Sequence, residues 1–331
     1  MVDRNTVIYL TMTMPAAPDK HSLAEADLSD FHRELATPFT IGLRPLTGGN
    51  FLHIDEEFLA YRSQKQALYD RIHDEVCIAE PGTLVAQKEV EALVITKLTA
   101  RYPQLYEIST NNGGGDGDDD GGVGGGEAIC RQTGTRIPLN RDMPLSSAGM
   151  LIPDDLVLMR RDDTGWRLVA GSMAFPASWS LAEKMSRPLE SVHGPVPLAD
   201  KMSLRINRIF DGLQPSIPVW RTNWSLDDDG ELRQVRLENE PREKAAKISS
   251  NVHFRTEFQT LYKLPETKDI LFTIHTKSRP VSSLANNATG RQKLATLHRQ
   301  YQDMSEAERD YKGINRNADG LLGWLEENGR Q

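Results

Sequence analysis

The sequence predicts an α+β protein in which an antiparallel sheet is flanked by helices. Two observations carry this prediction. Apolar residues recur at helical spacing over residues 55–76 and 84–102, and a strand–turn–strand pattern follows over 156–171. Further helices and strands alternate after residue 171. Interleaved helices and hairpins are typical of α+β domains.

The predicted helices rest on apolar spacing and on residues that end helices. In the first, Phe58, Tyr61 and Ile72 recur near helical spacing, and Pro103 ends the second. The predicted helices span 55–76, 84–102, 180–186, 199–213, 254–262, 290–309 and 318–327.

The predicted strands begin with a hairpin. Leu156–Met159 and Trp166–Gly171 are rich in strand-forming residues, and Arg161–Gly165 separates them as a turn. Two more strands are predicted at 217–225 and 270–276.

Changes in composition divide the chain into three parts. Residues 1–37 predict a poorly ordered N-terminal arm, 38–285 the main domain, and 286–331 a C-terminal helical extension. A flexible insertion is predicted at 112–127, because nine of the fourteen residues in 113–126 are Gly and four are Asp.

The insertion also matches the spacing of a calcium-binding loop from Asp116 to Glu127. No helix is predicted to lead into it or out of it, and any tract rich in Gly and Asp tends to satisfy this pattern. A solvated acidic loop is therefore the favoured interpretation, with calcium as the alternative.

Composition restricts the function classes. The net charge is −8, of which the insertion supplies −5, so no basic surface for nucleic acid is indicated. The two cysteines are too few for a disulfide scaffold or a four-cysteine cluster. No apolar run approaches the roughly 20 residues of a membrane span. We expect a cytoplasmic protein without nucleic-acid or membrane partners.

Phosphate-binding loops, a dinucleotide-binding glycine pattern and a hydrolase nucleophile elbow are all absent from the sequence. The eight histidines show no paired metal-ligand spacing, but a single histidine suffices to hold haem iron. His193 lies in the turn Ser191–Pro197, where Gly194 and two prolines form a rigid platform for an axial ligand. A structural histidine is the alternative.

Two polar and aromatic segments are further candidates for a site. Val219–Trp224 places Arg221 between two tryptophans, as in a pocket wall or in a packed strand. Arg255, Glu257 and Gln259 stand two residues apart, so they share a face on a strand but spread around a helix. Surface salt bridges are the alternative here.

These segments together resemble the haem-dependent oxidative N-demethylase family over roughly residues 38–285. The matching segments, in chain order, are Gly42–Leu46, Asp55, Tyr61–Arg62, Tyr102–Pro103, Asp155–Met159, Phe175–Trp179, Glu183–Lys184, Pro188–Leu189, His193–Pro197, Arg221–Trp224, Arg255–Leu261, Leu264–Thr267 and Leu271–Ile274.

The resemblance implies a PAS-like antiparallel sheet that holds haem b. It also implies an O₂-dependent oxidation of a secondary amine to an imine, which hydrolyses to a primary amine and formaldehyde. An oxidoreductase of this kind, related to monooxygenases, needs electrons from a separate reductase, since this chain carries no cluster or flavin motif of its own.

On this basis we assign roles to six residues. His193 is the expected axial ligand of the haem iron. Arg221 or Arg255 meets a haem propionate or orients bound oxygen, and Glu257 pairs with the substrate ammonium or takes its proton. The pocket-lining residues are Phe175 and Trp224.

The sequence departs from the family pattern at two points. Met173-Ala174 stands where a cysteine is common, and Phe258 replaces an arginine of the usual motif. The substrate therefore stays open between a small amine and a larger metabolite. The alternatives are a PAS-type haem sensor without turnover and a haem enzyme that oxidises carbon.

Overall fold

The computed structural model describes residues 35–49, 51–110, 126–189, 199–235, 252–312 and 318–329. The N-terminal arm up to residue 34, most of the Gly/Asp insertion and the turn that carries His193 lie outside these described residues. The structure therefore does not test the predictions made for those segments.

The main element is a seven-stranded antiparallel sheet, so the predicted α+β class is confirmed. Its strands, in the order in which they lie side by side, are β1 (Arg44–Pro45), β8 (Val219–Asp227), β9 (His253–Lys263), β10 (Ile270–Pro280), β6 (Asp155–Asp162), β7 (Gly165–Ser172) and β2 (Cys77–Ala79). The predicted hairpin is confirmed, with Asp162 pairing with Gly165 beside its turn.

Among the described residues, helices pack against this sheet, and three of them lie in the C-terminal part of the chain. Their bounds are α1 (Phe58–Val76), α2 (Leu84–Arg101), α3 (Pro144–Leu151), α4 (Leu181–Lys184), α5 (Ala199–Gly212), α6 (Ala288–Asp303), α7 (Glu306–Tyr311) and α8 (Ala318–Gly329), with 3-10 turns at Thr47–Gly49 and Val281–Asn286. None of the helices in the described part of the chain combines the length and apolarity that a bilayer crossing requires.

The helix predicted at 254–262 is wrong, because these residues belong to strand β9. β9 is paired on both sides, with β8 over Asp227–Val219 and with β10 along its full length. Two complete ladders of backbone hydrogen bonds outweigh a weak local helical pattern. The two-residue spacing of Arg255, Glu257 and Gln259 was the correct signal.

A second, three-stranded sheet was not predicted. It consists of β3 (Tyr106–Thr110), β4 (Gly126–Cys130) and β5 (Arg136–Leu139). Thr110 pairs with Gly126, so the Gly/Asp insertion connects the two strands of a hairpin. Glu127, the described end of the candidate calcium loop, pairs with Arg136 across β4 and β5.

The predicted helix 290–309 is two helices, because Ser305 begins a new one. The Ser305 hydroxyl accepts from the Glu308 N–H, and the Glu308 carboxylate accepts from the Ser305 N–H. This capping box satisfies backbone donors at the start of α7 and separates it from α6.

The two faces of the large sheet carry separate apolar clusters. One cluster joins α5 to β6 and β10, through Phe210, Val157 and Ile274. Another packs Trp224 and Phe254 against the C-terminal helices α6 and α8. The sheet therefore presents one face to α5 and, near β8, the other face to the C-terminal helices.

Candidate active site

A group of polar side chains shares one face of strands β8 and β9. The register pairs Arg221 with Gln259, Asn223 with Glu257, and Ser225 with Arg255. Because side chains alternate along a strand, pairs that stand two residues apart point to the same face. We call Arg221, Asn223, Arg255, Glu257 and Gln259 the β8–β9 polar cluster.

Glu257 is the only acidic member of this cluster, and it is 7% exposed. Gln259 Nε2 donates to its Oε2 over 2.8 Å, and Asn223 Nδ2 donates to the same atom over 3.3 Å. Arg255 Nε lies 3.5 Å from Oε1. The carboxylate is thus fixed in orientation by three donors and remains positioned to accept from a further group.

Arg255 is fully buried, and its guanidinium is occupied by protein acceptors. It donates over 2.6 Å to the carbonyl of Phe175 and over 2.8 Å to the carbonyl of Leu232. Because its Nε also lies next to Glu257, Arg255 connects the cluster to the loops that follow β7 and β8. These contacts give Arg255 a structural role in the site, since its donors are used by protein acceptors and not left for a ligand.

Phe175 is held in place from the other side by a buried ion pair. Asp155 accepts from the N–H groups of Ala174 and Phe175, each over 2.8 Å, and lies 3.7 Å from Lys65 Nζ. Burial raises the pKa of Asp155 and lowers the pKa of Lys65, while each charge opposes the effect on its partner. The Phe175 ring packs edge-on against Tyr61.

Arg221 differs from Arg255 because no hydrogen bond or ion pair joins it to another described residue, and its buried Nε lacks a hydrogen-bond partner there. Burial lowers the pKa of Arg221, and the nearby Glu257 charge opposes this effect. The side chain also lines a pocket of about 230 Å³, together with Arg44, Trp220 and residues 35–43.

The charges around Glu257 do not balance among the described residues. Lys312 reaches the cluster from the C-terminal helices, and its Nζ donates to Asn223 Oδ1 over 2.8 Å. Arg221, Arg255 and Lys312 therefore approach Glu257 in a buried environment, while Asp155, whose charge also interacts with Arg255, is paired with Lys65. Since unpaired buried charge is unfavourable, this excess of cations favours an anionic ligand.

Trp224 is not brought to this face of the sheet. It pairs with Thr256, one position away from the Asn223–Glu257 pair, so its side chain alternates to the opposite face. Its indole Nε1 donates to the carbonyl of Ala36 over 3.1 Å, and its ring packs among the C-terminal helices.

His193 lies outside the described residues, and Leu189 is the last described residue before its segment. Leu189 and Phe210 of α5 belong to the same apolar cluster as Leu261 and Ile274. Leu261 follows Gln259 on the same face of β9. Leu189, the last described residue before the His193 segment, therefore lies on the face that bears the polar cluster.

His275 is placed on the opposite face, where it is fully buried. Its Nδ1 lies 3.3 Å from Asp154 Oδ2, and its ring stacks on Tyr61 with centroids 5.9 Å apart. Within the described residues no group of three His, Cys, Asp or Glu side chains is arranged to hold a metal ion.

Arg221, Arg255 and Glu257, which the sequence suggested as catalytic residues, lie on one face of β8 and β9. Sequence reasoning did not find Lys312 or the Lys65–Asp155 pair. A lysine near the end of a polar helix carries no local signal of burial. The clue for Asp155 was its position at the first residue of an otherwise apolar strand.

The fold and site define a class: an α+β protein with a buried, cation-rich face on an antiparallel sheet. The family model described as haem-dependent oxidative N-demethylase, alpha subunit-like, matches residues 42–322 of the chain. The chain belongs to this family.

Proposed function

We propose that this chain is a haem b oxidoreductase that uses O₂ to remove a methyl group from an amine-bearing small molecule. The substrate CH₃–NH–R loses two electrons and two protons to give an imine, and water converts the imine to R–NH₂ and formaldehyde. O₂ would take these two electrons and two protons, together with two electrons from a reductase and two protons from solvent, to give two molecules of water. We further propose that the central strands form a PAS-like sheet and that a separate reductase supplies electrons.

The observation that carries this proposal is the buried excess of positive charge around Glu257. Arg221 has no hydrogen-bond partner among the described residues, and it lies on the face where Leu189, the last described residue before the His193 segment, is packed. A ligand with an apolar body and two carboxylates suits such a face.

The residues present fit haem in both of its chemical parts. Leu261, Phe272 and Ile274 make the environment next to the cluster apolar, and Arg221 would supply a donor for a propionate. His193 would hold the haem iron. Haem supplies the redox chemistry with O₂ when it is bound.

The protein's own residues hold the amine and take its proton. A substrate ammonium is attracted by the buried Glu257 carboxylate, and the amine must lose its proton before oxidation. Gln259 and Asn223 hold the carboxylate in one orientation, so its Oε1 and Oε2 are fixed before substrate arrives. Arg255 keeps Phe175 next to this position.

The first experiment is a haem titration followed by absorption spectroscopy. We expect the wild-type protein to bind one haem, His193→Ala to lose the histidine-ligated spectrum, and Arg221→Met to bind haem more weakly. Arg161→Met is the matched control, because Arg161 is an exposed arginine of β6 that pairs with Asp211. Wild-type protein that binds no haem would refute the proposal.

The second experiment measures turnover. Haem-loaded protein is supplied with an artificial electron donor, O₂ and a panel of secondary amines, and formaldehyde is quantified. Glu257→Gln should bind haem as the wild type does and lose formaldehyde release. Haem binding without oxidation of any amine would favour a sensor, and oxidation without formaldehyde would favour chemistry at carbon.

A further inference from the structure

Lys312 stands just after α7 and reaches the polar cluster from 89 residues away in sequence. It is 4% exposed, and its own carbonyl accepts from the Leu226 N–H over 3.1 Å. The backbone of the C-terminal segment is thus attached to β8 beside the site. The side chain then turns inward along the same strand.

The Lys312 ammonium contacts β8 through two acceptors and one aromatic ring. Nζ donates over 2.8 Å to Asn223 Oδ1 and over 2.6 Å to the carbonyl of Trp224. It also lies 4.9 Å from the centroid of the Trp224 ring, within cation–π distance. These contacts hold the ammonium next to the Asn223 amide.

The contacts of Asn223 determine which way its amide points. An ammonium only donates and a carboxylate only accepts. Asn223 Oδ1 faces Lys312, and Asn223 Nδ2 donates to Glu257 over 3.3 Å. The flipped amide would point its N–H groups at an ammonium and its oxygen at a carboxylate, so both contacts would become repulsive.

We infer that Lys312 is a positioning residue for Glu257 and that it acts through the Asn223 amide. The C-terminal segment thereby becomes part of the amine-binding machinery without touching the substrate. The inference rests on the proposed function only for the chemical role of Glu257. The orientation of the amide is a separate property that can be measured in protein without haem or substrate.

The electrostatic setting agrees with this geometry. Burial and, to a smaller extent, the neighbouring Arg221 charge lower the pKa of Lys312 to about 7, against the opposing effect of Glu257. A lysine in this place is unfavourable unless acceptors hold its charge. The Asn223 oxygen and the Trp224 carbonyl are the acceptors that do so.

The direct test follows the side-chain amide of Asn223 by NMR in protein labelled with ¹⁵N-asparagine, with the signal assigned from Asn223→Ala. In the wild-type background, Glu257→Gln should shift the two amide protons of Asn223, because one of them is donated to the carboxylate. In the Lys312→Met background the same substitution should shift them much less. An equal shift in both backgrounds would overturn the inference.

The kinetic test is a double-mutant cycle on kcat/KM for the best amine, in haem-loaded protein. Lys312→Met and Asn223→Ala should each lower kcat/KM by about tenfold, and the double variant should fall within about twofold of Asn223→Ala alone. Effects that multiply would show that Lys312 does not act through Asn223 and would overturn the inference.

Leu297→Ala serves as the control for general loosening of the C-terminal helices. Leu297 is buried in the cluster that α6 forms with β8. We expect the Lys312–Asn223 contact to survive the replacement. It should not reproduce the change in the amide signals, and the inference fails if it does. Absence of amine oxidation in the wild type would refute the proposed function, whereas the NMR comparison would still decide the role of Lys312.

Discussion

The buried pair of Asp155 and Lys65 allows a quantitative prediction about how the site is supported. We consider Asp155→Asn, which keeps the shape of the side chain and removes its charge. The Asp155 carboxylate accepts from two backbone N–H groups over 2.8 Å each and lies 3.7 Å from Lys65 Nζ. The asparagine retains one acceptor for these groups and turns N–H donors toward the other.

The cost can be worked out from these contacts. Hydrogen bonds to a charged acceptor contribute about 1.5–3 kcal/mol each, and the asparagine loses at least one of them. Lys65 also remains buried without its counter-ion, and removal of one partner from a buried ion pair typically costs about 3–5 kcal/mol. Three backbone carbonyls still accept from Lys65, which reduces this loss. We therefore expect the free energy of unfolding to fall by about 3 kcal/mol.

Urea unfolding at pH 7, followed by tryptophan fluorescence, measures this difference. Asp70→Asn is the matched control, since Asp70 is exposed on α1 and accepts one hydrogen bond from Gln66. The control should change stability by less than about 0.5 kcal/mol. A loss below about 1 kcal/mol for Asp155→Asn would refute the view that this pair supports the Phe175 loop.

Three further predictions concern groups outside the site. Burial raises the pKa of Glu91 to about 7, so the folded protein loses stability as pH rises from about 4.5 to 7. Glu91→Gln should therefore increase the free energy of unfolding by about 2 kcal/mol at pH 8 and by little at pH 4.5. Equal gains at both pH values in urea unfolding would contradict this. Gly290→Ala should lower the Tm by several degrees, because its Cβ would lie 1.9 Å from the Leu284 carbonyl oxygen, and an unchanged Tm would refute the clash. Cys77 and Cys130 are buried, and burial raises the pKa of Cys77 to about 11. Both thiols should therefore react slowly with a thiol reagent at pH 8 until urea unfolds the protein. Fast labelling of the native protein would contradict this prediction.

Local pattern was sufficient for the elements that carry their own signals. The hairpin of β6 and β7 shows strand-forming residues on both sides of an Asp-Asp-Thr-Gly turn, and α1 shows apolar residues at helical spacing. The strand at 253–263 was mistaken for a helix, because its stability comes from two partner strands that lie far away in sequence. The local propensity of a segment for helix or strand contains no information about such distant partners.

The site was predictable in part for the same reason. Arg221 and Glu257 were identified by their motifs, and the sheet register brings them to one face. Their division of labour needed the structure: Arg255 is saturated by carbonyl acceptors, whereas Arg221 has none among the described residues. The role of Lys312 could not be predicted from the sequence, because nothing in a short polar helix indicates that the residue after it packs against the edge of a distant strand.

The outer edge of β8 has a consequence for how the protein is made. Beyond its pairing with β1, this edge is covered by Ala36, which accepts from Trp224, and by Lys312, whose carbonyl accepts from Leu226. At about 5–20 residues per second, a ribosome needs roughly 4–17 s to proceed from Asp227 to Lys312. During that interval β8 exists without its C-terminal cover, and an uncovered strand edge is a template for pairing with other chains. The nascent protein is therefore most exposed to association with its neighbours just before Lys312 completes the surroundings of the β8–β9 polar cluster.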